Sequence, residues 1–123
     1  MKNILLVEDD PFLLDIYTTK LKEENFNTIV ATDGDDCLRK LRDVNLRPDL
    51  ILLDIVLPNL DGWEILKRLK TNDKLKDIKV VILSNLGQRG EVEKGINLGA
   101  EKYLIKAHFT PGEIVSEIKK ILI

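Results

Sequence analysis

Short aliphatic runs recur along the chain, each followed by a polar residue and then by a segment whose apolar residues return every three or four positions. The runs lie at residues 4–7, 28–31, 50–53, 79–83 and 102–105. An uninterrupted run such as Leu50, Ile51, Leu52 and Leu53 predicts a strand buried on both faces, because a strand with one wet face alternates apolar with polar. Helical spacing appears between the runs. It spans Phe12 to about Asn25, where Leu14, Tyr17 and Leu21 are flanked by Leu13 and Ile16, and 34–44, with Cys37, Leu38, Leu41 and Val44 inward. It returns from about Trp63, with Ile65, Leu66 and Leu69, and across 88–98, with Val92 and Ile96 inward and Gly90 and Gly95 weakening the helix. The final stripe is Ile114, Ile118, Ile121 and Leu122.

Local punctuation agrees with these boundaries. Asp10 precedes Pro11 and is placed to cap the first helix, since proline suits the first helical position and keeps its predecessor out of helical geometry. Gly99 is placed as the residue that terminates the fourth helix. Thr110, Pro111 and Glu113 form the pattern of a capping box. Pro58 and Asp61-Gly62 mark a turn-rich loop after the third strand. Five alternations of strand and helix predict an α/β domain with a parallel sheet, helices on both faces and right-handed crossovers.

Composition narrows the function classes. At 123 residues the chain has the size of one domain, 1–123, with no linker or repeat. A net charge of −2, with both signs scattered, argues against nucleic acid as the main partner. The amino terminus carries only four apolar residues before Glu8-Asp9-Asp10, too few for a signal or membrane segment, so the expected location is cytoplasmic. Cys37 is the only cysteine and is expected to be a small buried hydrophobe.

Parallel strands share one carboxyl edge, where an open α/β sheet keeps its chemistry. On that edge the pattern puts Glu8 and Asp9 after the first strand, Asp54 after the third, Ser84 after the fourth and Lys106 after the fifth. The second strand lacks such a residue, which places it at the border. Each residue alone has a structural explanation: Asp54 as a turn former, Ser84 as a helix cap, Lys106 as a solvated lysine. Four strand ends supplying three acids, a hydroxyl and an ammonium make coincidence the weaker account. Three carboxylates without a soft ligand suit Mg²⁺, or Mn²⁺ in its place, rather than zinc. Such a site fits phosphoryl transfer, which is mostly positioning and charge neutralisation, and a carboxylate can itself be the nucleophile. Asp54 is the better candidate for that role.

These motifs together resemble the receiver domain of two-component response regulators across the whole chain. They are Val7-Glu8-Asp9-Asp10, Asp54-Ile55-Val56-Leu57-Pro58 leading to Asp61-Gly62, Ser84 after its strand, and Tyr103-Leu104-Ile105-Lys106. The resemblance implies a flavodoxin-like doubly wound fold of three layers, with five strands in order 2-1-3-4-5 and five helices. It implies that Asp54 accepts a phosphoryl group from a sensor histidine kinase or histidine phosphotransfer protein. Asp9, Asp54 and the backbone carbonyl of Val56 would bind Mg²⁺, with Glu8 acting through water. Ser84 and Lys106 would contact the phosphoryl group, and Tyr103 would be a switch that changes a surface read by a downstream protein. The chain would assist its own phosphorylation without being a turnover enzyme, bind neither DNA nor membrane directly, and could pair as a homodimer.

Some positions depart from the family pattern. Ala107 stands where proline usually follows the lysine across a cis bond; a non-proline cis bond costs about 3 kcal/mol, so a trans or strained bond is expected. Asn85 replaces a small residue beside the site, and His108 reads as an exposed loop residue. Val56 and Leu86, which flank the phosphoryl group in this family, are apolar and cannot orient a water, so a long-lived acyl phosphate is expected. Three other readings compete. A phosphorylation-independent binding module would keep the fold, but Asp54, Asp9 and Lys106 are intact. An aspartyl phosphatase would need an acid where Val56 stands. A flavin module would need a phosphate loop where Glu8 and Asp9 repel phosphate. With the chain ending at its last helix, no output domain is expected.

Overall fold

Five strands and five helices alternate in the computed structural model, which describes residues 1–123. The order is β1 (Asn3–Val7), α1 (Pro11–Glu23), β2 (Asn27–Ala31), α2 (Gly34–Leu41), β3 (Leu50–Leu53), α3 (Gly62–Thr71), β4 (Lys79–Ser84), α4 (Arg89–Asn97), β5 (Lys102–Ile105) and α5 (Pro111–Leu122). A single 3₁₀ turn, Lys106–His108, separates β5 from α5. All strand pairs are parallel and the sheet order is β2-β1-β3-β4-β5, the flavodoxin-like arrangement, with β2 at the border as expected.

The aliphatic strands place their side chains alternately on two cores. Leu5, Val7, Ile51, Leu53, Val80 and Ile82 pack with Cys37 and Leu41 of α2 and Ile65, Leu66 and Leu69 of α3. Ile4, Leu6, Leu50, Leu52, Val81 and Leu83 pack with Tyr17 and Leu21 of α1 and Ile114, Val115 and Ile118 of α5. The sheet is thus buried on both faces, which is why its strands lack polar alternation.

The expected caps are in place. The Asp10 side chain accepts from the amides of Phe12 and Leu13, and Thr110 and Glu113 complete the capping box. Gly99 follows α4 at φ +107°, the left-handed conformation of a helix-terminating glycine.

Three expectations need correction. The first helix ends at Glu23, and Asn25 adopts φ 66°, a left-handed geometry that asparagine tolerates. The second ends at Leu41, so Val44 leaves the inward stripe and is 81% exposed. In α4 it is Gly95, not Ile96, that faces the sheet: Ile96 is 46% exposed and Val92 only half-buried. A Cβ on Gly95 would lie 2.7 Å from Ile82 Cδ1 and 2.9 Å from Tyr103 Cδ2. The ring and the isoleucine fill the space that a side chain would need. The glycine expected to weaken the helix is the residue that lets it dock.

Candidate functional site

Strand register brings the predicted site residues together. Val7 pairs with Leu53, so Glu8 and Asp54 leave adjacent strands at the same level. The Glu8 amide donates to the Ala31 carbonyl and the Asp54 amide to the Val7 carbonyl, which extends the ladder one step and holds both acids at its end. Ser84 pairs with Ile105, so Lys106 emerges just beyond Ser84 on the next strand.

Lys106 closes the cluster. Its Nζ donates to Glu8 Oε1 at 2.5 Å and to Asp54 Oδ2 at 2.9 Å. All three side chains are nearly out of water, at 10% exposure for Lys106, 2% for Glu8 and 7% for Asp54. Burial lowers the lysine's basicity, but the hydrogen bonds and charges of the two acids outweigh it, and its pKa lies above the ordinary value. Burial also pushes the Glu8 carboxyl up, against the pull of Lys106, with the nearby Asp54 charge adding to the rise. Lysine is therefore held charged between two acids, one of which resists ionisation.

Each carboxylate has a distinct setting. Glu8 Oε2 turns back to accept the Asp9 and Asp10 amides at 3.0 and 3.2 Å, so both Glu8 oxygens are engaged by protein. Asp9 is exposed and projects from the loop. Asp54 is buried, with Oδ1 accepting the Val56 amide at 3.2 Å. One oxygen from each of Glu8, Asp9 and Asp54 lies within 4.8 Å of the others. That spread is near the scale of a hard divalent cation, since oxygens on opposite sides of an ion with bonds of about 2.1 Å stand about 4.2 Å apart.

The loop after Asp54 is fixed by its glycine. The Gly62 amide donates to the Ile55 carbonyl at 2.8 Å. A Cβ at Gly62 would stand 2.5 Å from the Asp54 carbonyl oxygen and 2.6 Å from Ile55 Cα, both backbone atoms. Only glycine allows the start of α3 to press on the segment carrying Asp54. Asp61 then caps the helix through the Glu64 amide.

Ser84 is wholly buried, and its hydroxyl accepts the Leu86 amide at 3.3 Å. Tyr103 donates its hydroxyl to the Leu86 carbonyl at 2.5 Å and rests half-buried against Gly95. Burial raises its phenol above the usual range. Ser84 and Tyr103 thus bond the two sides of the Leu86 backbone, its amide and its carbonyl, while Ser84 makes no bond to Asp54 or Lys106. Asn85, Ala107 and His108 are exposed, and the chain contains no cis peptide, so Ala107 follows Lys106 across a trans bond. Val56, 60% exposed, stands at the mouth of the site.

Two features were not anticipated. Lys106 engages Glu8 as well as Asp54, a reach across the ends of β4 and β3 that only the folded structure reveals. Tyr17, expected simply as core, is packed there, and burial raises its phenol while the charges of Lys106, Glu8 and Asp54 also act on it.

Comparison with known proteins gives a consistent picture. A family model described as "Response regulator receiver domain" matches residues 4–119. The DNA-binding dual master transcriptional regulator RpaA of Synechocystis is 34% identical over 122 residues, covering 99% of this chain and 49% of that protein. The phosphate regulon transcriptional regulatory protein PhoB of Escherichia coli is 34% identical, covering 98% of this chain and 52% of its own length. The chain therefore spans about half the length of these curated relatives. Among solved structures, the Mn²⁺-bound form of response regulator Rcp1 aligns with a TM-score of 0.87 and 31% identity, covering 99% of this chain and 94% of that one.

Proposed function

The chain belongs to the family of response-regulator receiver domains, and from that premise we propose that Asp54 is its phosphoacceptor, charged by a histidine-bound phosphoryl group. The observation that carries this is the buried Lys106 ammonium shared between Glu8 and Asp54, beside a third carboxylate. Here the acids and a fixed cation converge at the mouth of a sheet edge.

A carboxylate oxygen of Asp54 attacks phosphorus. The new O–P bond forms as the P–N bond to the donor imidazole breaks, and the imidazole leaves with the electron pair and is reprotonated. Asp9, Asp54 and the Val56 carbonyl are the residues that would hold Mg²⁺ or Mn²⁺. Glu8 acts at a distance because its own oxygens already accept from Lys106, Asp9 and Asp10. When bound, the cation supplies charge neutralisation for the transferred group; the Mn²⁺-bound relative supports a divalent cation here. Lys106 stays protonated and passes from the free carboxylates to the phosphoryl oxygens.

Ser84 is linked to Tyr103 through the Leu86 backbone, whose amide donates to Ser84 and whose carbonyl accepts from Tyr103. Drawing the Ser84 hydroxyl towards a phosphoryl oxygen would release the Leu86 amide and disturb the carbonyl that anchors Tyr103. The ring then moves relative to Gly95 and α4, altering a surface that another protein or a further domain reads. The cognate donor is a sensor histidine kinase or a histidine phosphotransfer protein. No helix is long and apolar enough to cross a membrane.

The test is intact-mass spectrometry after incubation with acetyl phosphate and Mg²⁺. A single phosphoryl adduct lost in Asp54→Asn and in EDTA is expected. An adduct that persists in Asp54→Asn refutes the assignment, and no adduct under any condition, with no beryllofluoride binding, leaves a phosphorylation-independent binding module as the better reading.

A further inference from the structure

At the opposite edge of the sheet, the carboxyl-terminal ends of α2 and α3 and the loops that follow them enclose a cavity of about 460 Å³. Asp54 lies beyond the four residues of β3, about 13 Å away along the strand, so this recess is separate from the phosphoacceptor site. Its volume is in the range of small-ligand and peptide side-chain pockets. Leu38, Leu41, Leu69 and Leu75 line it, and Val44, 81% exposed, stands at its rim.

Four cations surround that apolar floor, Arg42, Arg47, Arg68 and Lys74, against a single carboxylate, Asp43. Arg68 is paired with Glu64 and Arg47 donates to the Lys74 carbonyl, whereas the Arg42 and Lys74 side chains make no ion pair. Asp43 is itself turned to the Asn45 amide. Counting Glu64, the surplus is two positive charges, and the carbonyl ends of α2 and α3 offset about one of them at roughly half a charge each. A local positive excess remains on a chain whose net charge is −2.

From this charge and shape we infer that the α2–α3 cavity is a docking site for an acidic peptide segment of a partner protein, one that buries one or two aliphatic side chains between flanking Asp or Glu residues. The leucines would take the aliphatic groups, while Arg42 and Lys74 would meet the carboxylates at the rim. A flat anionic membrane cannot fill a recess. The site is independent of Asp54, so the partner would be held whether or not the receiver is phosphorylated.

The probe is an N-acetylated peptide with a Leu-Leu pair flanked on both sides by Asp and Glu, titrated into ¹⁵N-labelled protein. Saturable shifts confined to the amides of 41–47 and 71–75 are expected. Arg42→Glu and Lys74→Glu together should weaken binding about tenfold, since each reversal replaces an exposed attraction by a repulsion. Replacing the peptide's leucines by serine should abolish binding. Both substituted side chains are exposed, and an otherwise unchanged spectrum verifies the variant's fold. Shifts elsewhere, affinity unaffected by the charge reversals, or binding only to anionic phospholipid vesicles overturns the inference. None of these readouts involves Asp54, so failure here leaves the phosphoacceptor reading standing.

Discussion

Replacing Lys106 by methionine keeps most of its stem and removes the charge shared by Glu8 and Asp54. Two carboxylates at 2% and 7% exposure would then face each other without a counter-ion. Removing one partner of a buried ion pair costs about 3–5 kcal/mol, and the exposed Asp9 beside the cluster admits water and points to the lower figure, about 3 kcal/mol at neutral pH. The sign of the pH dependence follows from Glu8. Its carboxyl is already raised above 4.5 by burial while Lys106 pulls it down. Without Lys106 it rises further, so the native variant takes up protons at a pH where the unfolded chain does not. Stability lost at neutral pH is therefore regained as pH falls towards 4.5. In the wild type the Lys106 contribution holds between the pH at which the two acids protonate and 10.5, and is lost as pH rises through the raised native value. Urea titrations of both proteins at neutral pH and at about pH 5, with and without Mg²⁺, measure this. The gap between them should narrow in acid, and a bound cation should narrow it at neutral pH. A gap independent of both pH and Mg²⁺ would refute the view that Lys106 acts as counter-ion to the two acids.

Gly62→Ala should cost about 1–3 kcal/mol by urea unfolding, because the added carbon meets the Asp54 carbonyl and Ile55 Cα rather than a flexible side chain. It should also slow phosphorylation by acetyl phosphate, since the displaced backbone carries the acceptor. Val56→Asn should hasten hydrolysis of the acyl phosphate, measured by loss of the adduct, because an exposed carboxamide at the mouth can orient water where valine cannot. Cys37 is wholly buried, with its thiol pushed up to about 12 by burial. It should react with a disulfide reagent only at the rate of unfolding, and a fast reaction in native buffer would contradict that burial.

Most of the architecture could be read in advance because its cause is local. Continuous aliphatic runs too short for a helix and bounded by polar residues read as strands covered on both faces, and Asp10-Pro11 and Thr110-Pro111 with Glu113 mark helix starts through hydrogen bonds only a few residues long. The candidate site was legible for a related reason: a parallel sheet ends every strand on one edge, and the strand order implied by the family resemblance sets Glu8, Asp54, Ser84 and Lys106 in a row along it. What escaped prediction depends on contacts distant in sequence. Periodicity put Ile96 inward, yet the width of the Tyr103 ring decides that Gly95 takes that place. Val44 continued the stripe of α2 on paper, but the helix stops at Leu41. The Lys106–Glu8 contact spans nearly the whole chain and depends on the lysine side chain reaching past the ends of β4 and β3.

The alternation of strand side chains between two cores makes the sheet a partition. No buried side chain belongs to both clusters. A substitution under α3 meets no side chain that also touches α5, and the reverse holds as well. A displacement at Asp54 passes from one side to the other through the strand backbones that carry both cores, or around the rim through the loops at the strands' carboxyl ends. The two flanks can therefore drift apart in sequence at different rates, with the rim loops as the narrow seam where their histories must stay matched.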